Sequence, residues 1–582
     1  MSADHQPATT RAESVEMNQP QGRNAWLKTY PKNVDWHAPL EAEPLPALLE
    51  QAAARFGSRD CTWFLGKTLT FLEVNRLADH VARGLQEKGV GKGVNVGLFL
   101  PNSPTAIIFY YGILKAGGTV VNFNPLYTVE EITHQARDAQ LHMMVTLDLA
   151  VLFPKVEALL ANGAIKSSVV CPFAELLPGL KSILFRLLKK KDVANWRASP
   201  QRDKIVPYRE LIENNGSPAP VIIHPESDVA VLQYTGGTTG VPKGAMLTHA
   251  NLSINTQQNR LWASDLADGE EKVLGILPLF HVFAMTTVMN FGIAKGATII
   301  LVPRFELSEA LKLIRREKPT VMPGVPTLYN AFMNSPELQP GDLSSLKFCI
   351  SGGAPLPIEV KRGFEKASGC HLVEGYGLSE TSPSATCNPI EGVSKEGSIG
   401  IPLPGTRIAI RSLEDPAQDL PLGENGEICI AGPQVMKGYW QRPKETADVM
   451  VGEFLRTGDV GYMDVEGYTF IVDRIKDMII CSGFNVYPRV VEEAIYQFPA
   501  VEEVTVIGIP DSYRGEAPKA YVKLKKDMTA TKEEILKFLE AKLSKIEMPS
   551  EIEFRDELPK TMIGKLSKKE LRAETSTNGA KT

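Results

Sequence analysis

The chain has few cysteines, and their spacing excludes the usual structural uses of cysteine. Seven occur in 582 residues, and no two of them form a Cys-x-x-Cys pair. An odd, scattered set argues against a disulfide framework and against a zinc site, and it favours reduced thiols. We therefore expect a cytoplasmic protein.

Long apolar runs and a strong excess of one charge are also lacking. No run of about 18 apolar residues occurs, so the sequence predicts no membrane-spanning segment. A net charge of −5 gives no reason to expect nucleic-acid binding. Residues 1–24 are polar, and we expect them to form a disordered tail, with neither a signal peptide nor a transmembrane helix.

Strand-like and helix-like segments alternate along the first part of the chain. A length of 582 residues exceeds what one hydrophobic core supports, so at least two domains are predicted. The alternation predicts an α/β fold with Rossmann-like, mostly parallel sheets covered by helices. The segments are strands at 94–100, 119–123, 141–147, 168–171, 297–302, 320–322 and 347–350, and helices at 104–116, 149–160 and 307–316.

The composition changes after about residue 471. Strand-like segments at 504–509, 520–524 and 552–555 and a helix-like segment at 531–543, with Thr531 as N-cap and Glu534 three residues later, predict a smaller α+β unit. A charged segment at 473–477 precedes it. The expected division is a tail at 1–24, a large domain at 25–472 and a small C-terminal domain at 473–582.

The segment 234–244, YTGGTTGVPKG, has the composition of a phosphate-binding loop. Its glycines lack the Cβ atoms that keep backbone N–H groups away from an anion, its threonines add hydroxyl donors, and Lys243 adds a positive charge. The spacing excludes a Walker loop, because Lys243 lies three residues after Gly240 and Gly244 stands where that loop has a hydroxyl.

This loop resembles the signature loop of the adenylate-forming superfamily, which includes acyl-CoA ligases, luciferases and nonribosomal adenylation domains. Further motifs of that superfamily follow in order: PLFHVFA at 278–284, SGGAP at 351–355, EGYGLSET at 374–381, FLRTGD at 454–459, DRIK at 473–476, CSGFNVYP at 481–488 and PKTMIGK at 559–565. The resemblance spans roughly residues 25–571. Segments 233–240 and 435–440 most resemble the bacterial long-chain fatty-acid–CoA ligases.

The resemblance implies where the nucleotide binds. Tyr376 would stack on adenine, and Asp459 would accept hydrogen bonds from both ribose hydroxyls. The full set implied for ATP or AMP is Thr235, Gly236, Gly237, Thr238, Thr239, Gly240, Lys243, Gly352, Gly353, Ala354, Glu374, Gly375, Tyr376, Gly377, Thr381, Asp459, Arg474 and Lys565.

The resemblance also implies the catalytic and metal-binding residues. Lys565, Thr381, Glu380 and His281 would be catalytic, with Lys565 neutralising charge near the carboxylate and the α-phosphate. Glu380, with the hydroxyl of Thr235, would hold Mg²⁺, which prefers carboxylate and phosphate oxygens. Without the resemblance, a histidine among apolar residues, such as His281, is more often a structural core residue.

Three more sets of residues come from the same resemblance. Phe280, His281 and Phe283 would border the acyl group, and Ser482, Gly483 and Phe484 would contact the pantetheine arm of CoA. Lys476 would mark a hinge about which the small domain rotates between two half-reactions. The resemblance further implies a distorted β-barrel in the large domain.

The implied activity is a two-step long-chain fatty-acid–CoA ligation through acyl-AMP, with ATP and CoA as co-substrates. Arg456 stands where a histidine is frequent in fatty-acid ligases, and Ile475 where a lysine is frequent, so medium-chain and aryl acids stay open. A fatty acyl-AMP ligase that delivers to a carrier protein also stays open, as does an ATP-binding regulatory protein with an inactive site. The oligomeric state stays open, a homodimer included.

Residues 180–191 combine an apolar row with basic charge. Leu180, Ile183, Leu184, Leu187 and Leu188 follow helical spacing, and Lys181, Arg186 and the lysines at 189–191 supply the charge. A basic amphipathic helix can lie on anionic lipid, which would place the protein at the inner face of the cell membrane. The alternative is a helix packed on its own domain.

Overall fold

The structure is a computed structural model that describes residues 24–235, 242–482, 484–511, 513–561 and 564–579. Outside the described residues lie residues 1–23 of the predicted tail at 1–24, the loop residues Gly236, Gly237, Thr238, Thr239 and Gly240, and Gly483. All seven cysteines are free and buried.

The first sheet of the large N-terminal part is mostly parallel. Its central strands Asn95–Phe99 and Met143–Leu147 are buried along their whole length, as expected for strands covered by helices on both faces. Val229–Thr235 and Lys243–Thr248 pair antiparallel at one edge, and the predicted phosphate loop joins them. Seven strands of the described chain form this sheet, in the spatial order Ile205–Pro207, Ser167–Cys171, Met143–Leu147, Asn95–Phe99, Thr119–Asn122, Val229–Thr235, Lys243–Thr248.

The second sheet places the predicted motifs at one edge. The register pairs Gly324 with Ser351 and Ser351 with Glu374. Because these neighbouring strands are parallel, the turns that follow them emerge side by side, where open α/β sheets bind ligands. The nine strands found in the described residues are, in spatial order, Ile401–Pro402, Ser384–Cys387, His371–Gly377, Phe348–Ser351, Val321–Gly324, Lys272–Gly275, Thr298–Leu301, Asp60–Phe64 and Lys67–Thr70.

The third sheet corrects the expectation of a β-barrel. It is antiparallel and, over the residues described, it is open rather than closed. Its two edges bond to neighbouring segments instead of to each other: Leu420 N–H donates to the Ile410 carbonyl, and Ile399 N–H donates to the Thr469 carbonyl. The strands are Arg407–Arg411, Gly426–Ala431, Met450–Val451, Phe454–Met463 and Thr469–Arg474.

The C-terminal part is the predicted α+β unit. Gly515–Leu524 pairs antiparallel with Val501–Asp511 and parallel with Glu551–Phe554. Thr531 caps helix Lys532–Leu539 in a capping box with Glu534, as predicted. Its remaining strands and helices are Ile479–Cys481, Phe484–Val486, Pro488–Tyr496 and Lys568–Gly579.

The described residues form three hydrophobic clusters, one in the larger part of the chain and two in the C-terminal part. The larger core extends from Ala25 to Tyr468, and a second core extends from Ile479 to Ile552. The predicted boundary at 472/473 falls between them and stays a prediction. The helices of the larger part are Pro46–Phe56, Phe71–Glu87, Pro104–Lys115, Val129–Asp138, Phe153–Ala161, Gly179–Leu188, Tyr208–Ile212, His249–Trp262, Val282–Ala284, the π-helix Met285–Asn290, Phe291–Lys295, Leu307–Glu317, Pro326–Met333, Ile358–Ser368 and Pro443–Val449.

Most predicted elements of the first part are confirmed to within three residues. The helix expected at 149–160 begins later, at Phe153. Leu149 instead forms a bridge with Val193, and the preceding Asp148 accepts the N–H of Phe173, so tertiary pairing overrides the helical pattern there.

Helix Gly179–Leu188 leaves its apolar row in solvent. None of its residues is buried, and Phe185 packs on Phe173 with ring centroids 5.0 Å apart. The apolar row is therefore exposed, while the helix packs on its own domain through Phe185 and through the bond from Lys181 Nζ to the Leu65 carbonyl. The exposed fractions run from 44% to 76% over Leu184, Ile183, Leu187, Leu180 and Leu188. Among the helices described, none is both long and apolar enough to cross a bilayer.

Candidate active site

A cavity of about 580 Å³ lies where the second sheet, the third sheet and the C-terminal unit meet. Its walls contain most of the predicted nucleotide residues together with Lys565 from the C-terminal unit. The predicted residues that line it are Thr235, Lys243, His281, Phe283, Gly352, Gly353, Gly375, Tyr376, Gly377, Glu380, Asp459, Arg474, Lys476 and Lys565.

Asp459 joins Tyr376 and Arg474 on one wall. The antiparallel register pairs Asp459 with Arg474, which brings the Arg474 Nε within 3.1 Å of the Asp459 Oδ1. The Tyr376 hydroxyl donates to Oδ2 at 2.6 Å. Attraction to Asp459 raises the pKa of Arg474, and burial followed by the Asp459 charge raises the pKa of Tyr376. These two bonds fix the orientation of the buried Asp459 carboxylate.

Glu380 and Lys243 meet at Tyr439. The Tyr439 hydroxyl donates to Glu380 Oε1 at 2.8 Å, and Lys243 Nζ lies 5.3 Å from the centroid of the Tyr439 ring. Burial raises the pKa of Glu380, whereas the Tyr439 hydrogen bond and the Lys243 charge lower it. Tyr439 is held beside the strand Lys243–Thr248 by a bridge to Ala245.

Lys565 stands at the end of a tight turn. Thr561 N–H donates to the Lys565 carbonyl at 2.6 Å, and Lys565 N–H donates to the Thr561 hydroxyl at 3.1 Å. Its side chain reaches Gly353, where an added Cβ would lie 2.7 Å from Lys565 Cε. Burial lowers the pKa of Lys565 to about 8, with the Arg474 charge acting in the same direction.

His281 is held as a neutral imidazole. Its Nδ1 accepts the Phe283 N–H at 3.2 Å and caps the short helix Val282–Ala284. Burial lowers the pKa of His281 to about 3, and the nearby Lys565 charge adds to that shift. Because Nδ1 is an acceptor, the ring proton is on Nε2.

Several predicted residues lie outside the cavity wall. Thr381 is buried, and its hydroxyl accepts the Leu378 N–H at 2.9 Å and bonds to the carbonyls of Leu378 and Pro383. Glu374 is buried behind the sheet edge, accepts the Leu356 N–H at 3.2 Å, and has a pKa that burial raises to about 7. Ala354, Phe280, Ser482 and Phe484 do not line the cavity either, and Phe484 is exposed.

Two functional-looking residues were missed by sequence reasoning. Tyr439 belongs to the segment 435–440, which the sequence marked only as a similarity to one branch. Glu427 is buried, and its two oxygens accept the Arg456 Nε at 2.8 Å and the Gly458 N–H at 3.0 Å, which fixes the turn before Asp459. The position of Glu427 inside an apolar strand gave no signal of this role.

A small apolar cavity of about 20 Å³ adjoins the larger one. It shares Asn259, Ile350 and Cys387 with the larger cavity. At its other end it shares Ala263, Phe348 and Ile390 with an outer cleft of about 670 Å³. Phe348 and Ile350 lie two positions apart and point to the same face of their strand. Asn259 and Ala263 lie four positions apart, on the same side at the end of helix His249–Trp262. The small cavity therefore runs along the strand and the helix.

No group of three or more His, Cys, Asp or Glu side chains able to hold a metal occurs within the described ranges. Glu380 shares the cavity wall with three other acidic residues, Glu427, Asp448 and Asp459.

Comparison with known proteins identifies the family. Residues 49–440 match the family model described as AMP-binding enzyme, and residues 490–565 match the AMP-binding enzyme C-terminal domain. A long-chain-fatty-acid–CoA ligase of Bacillus subtilis (strain 168) is 46% identical over 560 residues, covering 96% of this chain and 99% of that protein. One of Escherichia coli O6:H1 is 36% identical over 564 residues, covering 95% and 98%.

A solved structure agrees with the sequence relatives. The anthranilate CoA ligase AuaEII in complex with anthranoyl-AMP has a TM-score of 0.81 at 26% identity, covering 93% of this chain and 99% of that chain. The resemblance inferred from the motifs is thus confirmed. Since the first family model spans most of the chain and the relatives align over nearly all of it, the chain belongs to the AMP-binding enzyme family.

Proposed function

We propose that the chain is a long-chain fatty-acid–CoA ligase that forms AMP. A carboxylate oxygen of the fatty acid attacks the α-phosphorus of ATP, and pyrophosphate leaves. The CoA thiol, after losing its proton, then attacks the acyl carbon of the acyl-AMP, and AMP leaves as the thioester forms. The names of the full-length relatives, with up to 46% identity, support the substrate class.

The observation that carries this proposal is the position of Lys565. It belongs to the C-terminal unit, yet it lies in the same cavity as Asp459, Glu380 and Lys243 of the larger part. Adenylation brings two anions together, so cations fixed at the reacting centre stabilise its transition state. Lys565 would neutralise the carboxylate and α-phosphate, and Lys243 would hold the departing pyrophosphate.

The nucleotide would lie between the sheet edge and the third sheet. In this proposal adenine stacks on Tyr376 beside Gly352 and Gly353, and the ribose hydroxyls donate to Asp459. A carboxylate has about four lone-pair sites, so Asp459 keeps acceptor capacity beyond its bonds to Tyr376 and Arg474. The predicted loop threonines and glycines would surround the phosphates.

Mg²⁺ is proposed to bind at Glu380, with the hydroxyl of Thr235 as a second ligand. Glu380 suits a bound cation for two reasons. Burial disfavours its negative charge, which a cation would offset, and Tyr439 bonds only to Oε1, so no bond from Tyr439 blocks Oε2. A lone protein carboxylate suits Mg²⁺, which keeps waters and takes substrate phosphates as ligands. When bound, the ion would supply Lewis-acid stabilisation of the phosphate oxygens.

The second half-reaction requires another arrangement of the C-terminal unit. We propose that residues 473–582 rotate about Lys476. This rotation would move Lys565 out of the cavity and bring Ser482, Gly483 and Phe484 to it. Phe484 is 61% exposed in the present arrangement, as expected for a residue that serves only the other one. His281, neutral and fixed by its bond to Phe283, would orient the carboxylate beside Phe283 and Phe280.

The acyl chain is proposed to leave the active-site cavity between Asn259 and Ile350 and to follow the small apolar cavity towards Ala263. Each buried methylene contributes about 0.8 kcal/mol, which favours long acids over short ones. The passage now holds about the volume of one water molecule, so the chain would displace side chains to enter it.

Helix Gly179–Leu188 is proposed to contact the inner face of the membrane. Its leucine and isoleucine row is exposed, and Lys181, Arg186 and the lysines at 189–191 complement anionic headgroups. Each basic residue near an anionic surface contributes about 1 kcal/mol. Such contact would bring the enzyme to the phase in which long-chain acids dissolve.

A pyrophosphate-release assay tests the function. Purified protein is given Mg²⁺, ATP and acids from acetate to oleate, with and without CoA, and free thiol is titrated in parallel. We expect acid-dependent pyrophosphate release that is greatest for long chains, and loss of CoA thiol in equal amount. Release without CoA consumption would favour delivery to a carrier protein, and no release with any acid would overturn the proposal.

A further inference from the structure

The turn that carries Lys565 contacts the large part of the chain at Thr327. The Thr327 hydroxyl donates a hydrogen bond of 2.6 Å to the carbonyl of Gly564, the residue directly before the lysine. Thr327 is the second residue of helix Pro326–Met333, which follows the buried strand Val321–Gly324 of the second sheet. Its backbone is therefore fixed by the sheet that also carries the adenine motif.

The contact is close on both sides. Gly564 has φ of +80°, and a Cβ built on it would lie 3.0 Å from Thr327 Oγ1 and 3.3 Å from Val325 Cγ2. Only glycine reaches this conformation without strain while leaving room for the threonine. The backbone of the turn thus rests directly on the start of the helix.

The other end of the turn is fastened to the C-terminal unit. Lys560 Nζ lies 2.6 Å from a carboxylate oxygen of the buried Glu503, and Ser567 N–H donates to the Pro559 carbonyl at 2.8 Å. The turn is therefore built by the small unit and steadied at its tip by Thr327 of the large one.

We propose that Thr327 is a positioning residue that holds Lys565 in its adenylating position. This rests on the proposed role of Lys565 in the first half-reaction. The bond to the Gly564 carbonyl fixes the peptide one residue before the lysine, and Gly353 receives the side chain beyond it. When the C-terminal unit rotates for thioester formation, Lys565 leaves the cavity and the Thr327 bond is lost. Thr327 therefore acts in the first half-reaction alone.

Two variants of Thr327 separate its hydroxyl from its shape. Thr327→Val keeps the branched side chain and removes the donor, whereas Thr327→Ser keeps the donor. In full-length protein, we expect Thr327→Val to lower kcat for acid-dependent pyrophosphate release about tenfold, with KM for ATP changed less than twofold. Thioester formation from supplied acyl-AMP and CoA should stay unchanged, and Thr327→Ser should restore adenylation to within about twofold of the parent.

Asn330→Ala is the matched control. Asn330 lies one turn along the same helix and donates to the Glu502 carbonyl at 3.3 Å, so it links the two units without touching the turn of Lys565. We expect it to leave both half-reactions within about twofold of the parent. If Asn330→Ala lost adenylation as much as Thr327→Val does, the effect would come from weaker contact between the two units in general. That result would overturn a specific role for Thr327.

Lys565→Ala, run beside these variants, separates the two proposals. If Lys565→Ala loses only adenylation while Thr327→Val keeps full activity, the inference about Thr327 is wrong and the role proposed for Lys565 stands. If Lys565→Ala loses both half-reactions equally, the role proposed for Lys565 fails. Equal loss of both half-reactions in Thr327→Val also overturns the inference, and Thr327→Ala is judged by the same criteria if the valine variant does not fold.

Discussion

Tyr439 and Glu380 are joined by a hydrogen bond of 2.8 Å, and the ring of the same tyrosine faces Lys243 at 5.3 Å. One side chain thus contacts both the carboxylate proposed for Mg²⁺ and the lysine proposed for pyrophosphate. A bond to a buried carboxylate stabilises its charged form, which is the form that binds a cation. Tyr439 is therefore suited to keep Glu380 ionised before the nucleotide arrives.

Tyr439→Phe removes this donor and retains the ring that faces Lys243. Because the tyrosine hydrogen bond lowers the pKa of Glu380, its loss should raise that pKa and move the acidic limb of adenylation to higher pH. We expect the Mg²⁺ concentration for half-maximal rate to rise about tenfold, the lower end of the effect of one hydrogen bond to a charged group. Pyrophosphate release measured against pH and Mg²⁺ checks this. An acidic limb that stays in place would contradict it.

Adenylation should fall at high pH because Lys565 loses its proton. Burial lowers its pKa to about 8, so the cationic form is present below that pH and declines above it. The kcat/KM for pyrophosphate release should decrease about tenfold per pH unit above pH 8, since kcat/KM reports groups of the free enzyme. Thioester formation from supplied acyl-AMP should lack this limb.

Lys565→Arg provides the control for that limb. Arginine keeps its charge throughout the accessible pH range, so the variant should be slower but should show no decline near pH 8. A basic limb that persists unchanged in Lys565→Arg would assign the titration to another group.

Asp459→Asn should weaken ATP binding. The substitution removes the charge that Arg474 and Tyr376 contact at 3.1 and 2.6 Å and that the ribose would use. Hydrogen bonds to a charged group contribute about 1.5–3 kcal/mol, so we expect the Kd for ATP to rise about 10- to 100-fold. Titration calorimetry measures it, with Tyr376→Phe as a partner variant that removes one of these bonds. Unchanged affinity in Asp459→Asn would exclude Asp459 from the ribose site.

The sequence predicted elements better than it predicted contacts between them. Local signals were sufficient for the capping box of Thr531 and Glu534 and for the strands around the motifs. The pairing of Tyr439 with Glu380, 59 positions apart, depends on a bridge that no local pattern encodes. For Thr381 the motif predicts a place at the phosphate, and the structure shows its hydroxyl bonded within its own turn, so that role stays a prediction.

Bulky substitutions at different depths of the small apolar cavity should limit the length of the acyl chain that the enzyme accepts. Ile350 lies at its junction with the active-site cavity, and Ala263 lies at the far end. Ile350→Trp should lower kcat/KM for both medium and long acids, whereas Ala263→Phe should lower it for oleate and leave octanoate within about twofold. With each methylene contributing about 0.8 kcal/mol, excluding three methylenes should lower kcat/KM for the long acid about 50-fold.

Thermal melts of the two variants control for packing damage. If the acyl chain follows the small cavity, Ile350→Trp and Ala263→Phe should differ in their selectivity between acids and should have similar melting temperatures. If both variants lose activity on every acid in proportion, the chain does not follow this cavity.

The exposed row on helix Gly179–Leu188 should be needed for binding to anionic vesicles. In flotation with phosphatidylglycerol vesicles, Leu184→Glu places a charge in the apolar row, and a triple change of Lys189, Lys190 and Lys191 to Gln removes basic charge. Each should reduce the bound fraction about tenfold. Leu184→Glu would place a carboxylate against the anionic lipid, and the three lysines together contribute about 3 kcal/mol near an anionic surface. Salt should weaken binding of the parent, because the surface attraction is screened.

Leu72→Glu is the matched control for that experiment. Leu72 is 57% exposed on helix Phe71–Glu87, so it tests an added charge at an exposed leucine that belongs to a different helix. Vesicle binding should be the same as in the parent. If Leu72→Glu and Leu184→Glu reduced flotation equally, or if neither did, the apolar row would have no specific part in membrane contact. A loss confined to Leu184→Glu and the lysine variant requires the row and its basic flank to bind lipid together.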